Sequence, residues 1–321
     1  MQNILILGGN GFLGTNFVKY LIQTNFIEYY RIIVLSRTRL PSVTHQNIEN
    51  IKGDINDKDM LISIFQKYHP FKVFHFLSST VPVKSDLSIV NDINTELVST
   101  INLLEIMGRF NCNYILYISS GGAIYGKECP PNGHKEIDTC NPVSSYGITK
   151  WANEQYIKLF QNKGIDYLIL RPSNLYGEYH QSNFQGIINI SIRKAILKEE
   201  LDIWGDGNQV KDYLYVQDAV RIIWELVSNG IKNKILNLGS GKHYSINEIV
   251  SVIKNSGNEL KVNFVNGVIS DTPKSILDIA QLLTYINDVG FVKLEEGMIN
   301  TYLWEKKVKI QIIKEGYGFY N

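Results

Sequence analysis

Short apolar runs and helical stripes alternate along the first half of the chain. Residues 3–9, "NILILGG", form an unbroken apolar run closed by glycine, the pattern of a strand buried on both faces. Next comes "FLGTNFVKYLIQT", with apolar positions at helical spacing, then "RIIVLS", "IENIKGDI", "KVFHFLSS" and "YILYISS" as four further strands. "DINTELVSTINLLEIMGRF" and "YGITKWANEQYIKLFQNKG" read as helices, the second closed by Gly164. Such alternation predicts an α/β fold, a doubly wound parallel sheet of Rossmann type with ligands at the carboxyl ends of its strands. After "DYLILRPSNLYG" the pattern loosens. "QGIINISIRKAILKE" and "QDAVRIIWELVSNG" look helical, and "KILNLGSGKHYSINEIVSVIKNSG" reads as strand, glycine turn and helix. "KSILDIAQLLTYI" predicts a small terminal helix, and "EKKVKIQIIKEGYGFYN" a surface strand or a loose tail. The expected organisation is a dinucleotide-binding domain over 1–172 and a smaller α/β substrate lobe over 173–321, partly interleaved with it.

Composition narrows the function classes. Of the 321 residues 44% are hydrophobic and 20% charged, ordinary for a globular protein, and the net charge of +1 offers no field for nucleic acid or an anionic membrane. No apolar run approaches the roughly 18 residues of a membrane span, and the chain enters its first strand without a leader-like stretch, so a cytoplasmic protein is expected. Cys112, Cys129 and Cys140 are odd in number and lack CxxC spacing, and the six histidines form no ligand pattern. Reduced thiols and no metal follow. His75, inside an apolar run, reads as a hydrogen-bonded strand residue without chemistry.

Two motifs carry chemistry. "GGNGFLG" places Gly8, Gly11 and Gly14 between the first strand and first helix, with Asn10, Phe12 and Leu13 among them. Glycines there permit the tight turn, the approach of a pyrophosphate to backbone amides, and close helix–strand packing. Asp54 and Ile55, ending "IKGDI", would flank an adenine, and Leu77, after the fourth strand, would lie against the cofactor. At the end of the second strand, a carboxylate would take both ribose hydroxyls of NAD. Here Ser36 and Arg37 stand instead, and a guanidinium suits a 2′-phosphate. NADP(H) is therefore favoured, with NAD(H) as the alternative. The second motif is Tyr146 and Lys150, four apart on one helix face. An isolated phenol holds its proton too tightly for acid–base work near neutrality, and a neighbouring ammonium favours the phenolate.

Together, "GGNGFLG", "GDI", "SSGGAIYG", "YGITK", "LRPSNLYG" and "WGDGNQVKDYLYVQD" resemble the extended short-chain dehydrogenase/reductase family, in its nucleotide-sugar epimerase, dehydratase and reductase group, over almost the whole chain. The resemblance implies Tyr146 as general acid–base, Lys150 on the nicotinamide ribose, and a serine orienting the substrate oxygen. Ser79, Asn174 and Lys211 would face the nucleotide sugar. It also implies a homodimer, with the helices holding "INLLEIMGRF" and "WANEQYIKLF" forming a four-helix bundle across a two-fold axis. Several positions depart from the family pattern. The usual serine position holds Gly121, so Ser120 is taken as catalytic with Ser119 in reserve. Lys211 replaces an arginine, a further arginine near "GVISDTPKSILD" is missing, and Glu96 stands where an asparagine is usual. Gly122 and Ala123 replace the Asp-Glu pair of dehydratases, which argues against dehydration. Arg37 then favours an NADPH-using 4-ketoreductase, acting on dTDP-4-keto-6-deoxyglucose for surface polysaccharide. A UDP-hexose 4-epimerase is the alternative, and a non-catalytic dinucleotide-binding protein the second.

Overall fold

A computed structural model of the chain describes residues 1–37, 43–78, 88–266, 273–287 and 290–315. Its centre is a sheet of seven parallel strands among the described residues: β1 (Gln2–Leu7), β2 (Tyr30–Ser36), β3 (Ile48–Lys52), β4 (Lys72–His75), β5 (Tyr114–Ile118), β6 (Asp166–Pro172) and β10 (Lys234–Leu238). Their spatial order is β10-β6-β5-β4-β1-β2-β3. The apolar runs are continuous because both faces are covered. Ile4 and Ile6 pack with Phe17, Val34 and Trp224 on one side, and Leu5 and Leu7 pack with Ile33, Leu35, Phe65 and Met107 on the other.

The helices supply those covers. α1 (Phe12–Gln23) follows the glycine turn. α2 (Lys58–Tyr68), absent from the sequence reading, begins where Asp57 accepts the Met60 amide at 2.9 Å and buries Leu61, Ile64, Phe65 and Tyr68. One long helical stretch comprises α3 (Ile89–Asp92), a π-helical segment Ile93–Val98, and α4 (Ser99–Arg109). α5 (Ser145–Gln161) starts where Ser144 accepts the Gly147 amide. Gly164, at φ +85°, lets the Ile165 amide reach back to the Phe160 carbonyl and closes the helix as expected.

Beyond residue 172 lie two small sheets. β7 (Asn174–Tyr176), β9 (Val210–Tyr215), β11 (His243–Ser245) and β13 (Lys274–Ser275) form one, while β8 (Glu200–Trp204) and β12 (Lys261–Val265) form the other. With α6 (Ile187–Leu197), α8 (Ile246–Asn255) and α10 (Leu294–Glu315) they enclose a separate core around Ile188, Ile192, Ile249, Ile253, Leu294 and Met298. α7 (Val216–Ser228) packs instead on the large sheet, through Val220, Ile223 and Trp224. With α7 and β10, the chain beyond 172 returns to the first layer before it finishes the second.

Two sequence expectations change. "KSILDIAQLLTYI" contains strand β13 and only a four-residue helix, α9 (Ala280–Leu283), because Lys274 and Ser275 pair with Val210 and Lys211. The supposed tail from Glu305 continues α10 up to Glu315. Its buried stripe, Leu294, Met298, Thr301 and Glu305, begins eleven residues earlier than the segment read as a tail. Residues 316–321 lie outside the described part.

Candidate active site

The register of the large sheet fixes the site. Leu7, last in β1, lies opposite both Leu35 and His75, so the ends of β2 and β4 flank the glycine turn. Gly8 has φ +78°, and a Cβ there would lie 3.0 Å from a Leu77 methyl and 3.1 Å from the Leu77 amide. A Cβ on Gly14 would collide with the Gly8 carbonyl and Gly9 Cα. Gly11 is the first residue before α1, whose opening turn has neither a side-chain cap nor an acidic residue. These are the features that admit a pyrophosphate to a helix N-terminus. Beside the turn, a crevice is lined by Ser36, Arg37, Asp54, Ile55, Leu77 and Glu96 among others. Leu77 and the glycine turn thus meet, while Asn10, Phe12 and Leu13 lie in the same loop and first helical turn. Arg37 does not stand alone: its Nη1 is 3.6 Å from an Asp54 carboxylate oxygen, both side chains being partly exposed.

Beside this crevice α5 presents Tyr146, half-buried, and Lys150, only 2% exposed. The Lys150 Nζ is 5.7 Å from the Tyr146 ring centroid. It donates to the carbonyls of Leu77 and Ile118, each at 3.3 Å, and lies 3.5 Å from Glu96 Oε2. Burial opposes charge on Lys150, yet its pKa stays above the usual lysine range, because Tyr117, Glu96 and Tyr146 together outweigh the desolvation. Burial also holds the Tyr117 phenol above its usual range and therefore neutral, so Glu96 is the full negative charge that keeps the ammonium. His75 is pushed down to about 4, by burial first and by the Lys150 charge second. It lies in β4, 3.4 Å from the Thr100 hydroxyl.

The serine positions separate. Ser119 donates to Glu154, which also receives Arg171 through Nε at 3.0 Å and Nη2 at 2.7 Å; Arg171 Nη1 reaches the Tyr125 hydroxyl at 2.8 Å. That buried network commits Ser119 to holding α5 on the sheet. Ser120 is half-buried at the strand end. Gly121 has no room for a side chain, since a Cβ would lie 2.6 Å from a Leu277 methyl and 3.0 Å from the Arg171 carbonyl. A Cβ on Gly122 would be tolerated, in ordinary contact 3.8 Å from the Ser275 hydroxyl. Gly147, next to Tyr146, is small because the Ala123 carbonyl and Pro142 press against it.

Asn174 and Lys211 come together in one small sheet, where β7 lies alongside β9. The Asn174 amide donates to the Asp212 carbonyl at 3.0 Å, and Lys211 lies opposite Ser275. Ser79 lies outside the described residues. The sequence reading noted Glu96 as a departure but gave it no role, and it dismissed His75. Both line the cofactor crevice. The one available signal was a lone carboxylate among apolar positions of a helix.

A seven-stranded parallel sheet with a glycine turn at its switch point, and a tyrosine and lysine one helical turn apart beside it, define a dinucleotide-dependent oxidoreductase of the short-chain type. Residues 4–239 match the model of the NAD dependent epimerase/dehydratase family, and the chain belongs to that family. A putative UDP-glucose 4-epimerase of Methanocaldococcus jannaschii is 33% identical over 316 residues, covering 94% of this chain and 98% of its own length. The crystal structure of a UDP-glucose 4-epimerase with UDP-glucose, from Thermotoga maritima, superposes with a TM-score of 0.87 at 29% identity, covering 96% of this chain and all of the other. An Escherichia coli dTDP-4-dehydro-6-deoxyglucose reductase is 25% identical, over 91% of this chain and 96% of its own.

Among the described residues no helix is long and apolar enough to cross a membrane.

Proposed function

We propose that the chain is a UDP-hexose 4-epimerase that keeps its nicotinamide cofactor, taken as NAD, through the reaction. The observation that carries this reading is the half-buried Tyr146 beside the buried Lys150 ammonium, which donates to the carbonyl of Leu77, the residue packed against the glycine turn. A bound nicotinamide supplies the place where the C4 hydride is stored and recovered. Tyr146 takes the proton from the sugar O4 as C4 is oxidised and returns it when the ketone is reduced from the other face. Lys150 favours the phenolate during that exchange and meets the ribose of the cofactor. Ser120 orients O4, while Asn174 and Lys211 face the diphosphate. Gly122 and Ala123 offer no acid or base for loss of water.

Sequence alone favoured a ketoreductase, through Arg37 and a 2′-phosphate. The Asp54 carboxylate at 3.6 Å partly counters that guanidinium and would repel an added phosphate, which weakens the argument for NADP(H). The 4-ketoreductase remains the second reading, favoured by the exposed part of Arg37 at the adenosine end. Ile148, Trp151 and Leu159 on α5 and Val98 beside α4 are exposed apolar groups, and they support a homodimer formed through this face. A cytoplasmic location fits the three free cysteines.

The test is to incubate purified protein with UDP-glucose, adding no cofactor, and to follow UDP-galactose by NMR. Conversion is expected, and Tyr146→Phe should slow it by about a thousandfold while cofactor binding persists. NADPH consumption with dTDP-4-keto-6-deoxyglucose, and no conversion of UDP-hexoses, would establish the ketoreductase instead.

A further inference from the structure

A buried carboxylate stands at the inner end of the cofactor crevice, and the reaction proposed above does not use it. Glu96 is 3% exposed. It occupies the π-helical segment Ile93–Val98, where the wider turn displaces the backbone of a long helix. Three side chains fasten its carbonyl: Thr100 Oγ1 at 2.6 Å, Asn153 Nδ2 at 3.2 Å and Ser99 Oγ at 3.4 Å. Its carboxylate meets Lys150 at 3.5 Å. Among the described residues, the other ionisable groups that act on this pair are His75 and Tyr117, both kept neutral by burial, and Tyr146, while Arg37 and Asp54, which line the same crevice, face one another.

Among the described residues, the buried charge of this corner is therefore set by Lys150 and Glu96. Lys150 contributes +1 and Glu96 contributes −1, so the pair is neutral. A neutral side chain at position 96 would leave a bare ammonium in a water-poor crevice. That difference matters for a nicotinamide, because its oxidised ring is a cation and its reduced ring is uncharged. A net positive corner favours the reduced form; a neutral corner removes that bias. We propose that Glu96 is a positioning residue for redox balance: by cancelling the Lys150 charge it lets the crevice retain the oxidised cofactor, the form in which a 4-epimerase starts each turnover. The inference rests on the nicotinamide reading of this crevice and deepens it.

Five proteins test it: wild type, Glu96→Gln, Glu96→Asp, Lys150→Met, and the double variant carrying Glu96→Gln with Lys150→Met. Each is stripped of cofactor and titrated with NAD+ and with NADH, following quenching of tryptophan fluorescence. The quantity read is the ratio of the two dissociation constants, which a general loss of packing leaves unchanged. Against wild type, Glu96→Gln should shift the ratio toward NADH by about tenfold, and Lys150→Met toward NAD+ by a similar factor. The double variant, neutral again, should return near the wild-type ratio. Glu96→Asp, which keeps the charge, should also keep the ratio. If Glu96→Gln fails to fold with its ammonium unpaired, the comparison of Lys150→Met with the double variant reads the same shift. Equal ratios in all folded variants would overturn the proposal and leave Glu96 a mere counter-ion for burying Lys150. Wild-type protein that bound neither dinucleotide would overturn the functional reading itself, and this inference with it.

Discussion

At the scale of single residues, His75 shows what burial, reinforced by the Lys150 charge, does to a base. Its folded pKa, about 4, lies below the roughly 6.5 of an unfolded chain. On acidification the unfolded state takes up the proton first. Stability is therefore fully present above about pH 6.5 and is lost as pH falls toward 4, by about 3 kcal/mol from this residue alone. Replacing His75 by glutamine should flatten that part of the curve, which urea melts at pH 7 and pH 5 would show. Unchanged pH dependence in the variant would mean that His75 is protonated in the fold. Gly14 makes a different demand. A methyl there meets the Gly8 carbonyl and Gly9 Cα, so Gly14→Ala should cost about 1–3 kcal/mol through overpacking and weaken dinucleotide binding further. Thermal melts with and without NAD separate the two effects.

At the scale of elements, α5 does more than present the tyrosine. Glu154, three turns of backbone from Ser144, receives Ser119, just beyond β5, and Arg171 from β6, whose guanidinium binds it in a buried, bidentate arrangement. Glu154→Gln leaves the guanidinium without its counter-charge and should destabilise the fold by about 3–5 kcal/mol. Chemical denaturation measures this directly; a loss under 1 kcal/mol would mean that solvent reaches Arg171. The same scale shows what sequence makes legible. The strands of the large sheet declared themselves because burial on both faces leaves an unbroken apolar run, and α5 did so through its stripe and closing glycine. β12, with Lys261, Asn263 and Phe264 exposed, has no such run. α10 is hard to read from sequence because the burial of Thr301 and Glu305 puts polar residues in an otherwise apolar stripe. In the candidate site, residue type and spacing single out Tyr146, Lys150 and the glycine turn. Ser119's partner Glu154, Arg37's neighbour Asp54 and Lys150's partner Glu96 are contacts across elements, which spacing along one element does not encode.

At the scale of the whole molecule, the proposed dimer face is open to a simple test. Ile148 is 53% exposed and Trp151 38% on the outer side of α5, one turn from one another. A charge at Ile148, as in Ile148→Asp, should convert the dimer to monomer in sedimentation velocity, while Tyr146 and Lys150 on the inner side keep their contacts. A monomeric wild type would refute the assembly without touching the site.

The order of the large sheet has a further consequence for how the polypeptide is made. β10 is drawn from residues 234–238 and lies at the sheet's edge against β6, and its Asn237 accepts from the Tyr125 hydroxyl. While synthesis is still between these segments, the nascent chain carries β6 with an uncovered, apolar border and Tyr125 without its acceptor. The ribosome must therefore deliver much of the smaller lobe before the larger one can close. Fragments that end ahead of Lys234 should emerge as sticky intermediates in need of a chaperone, even though they hold every glycine, tyrosine and lysine of the crevice.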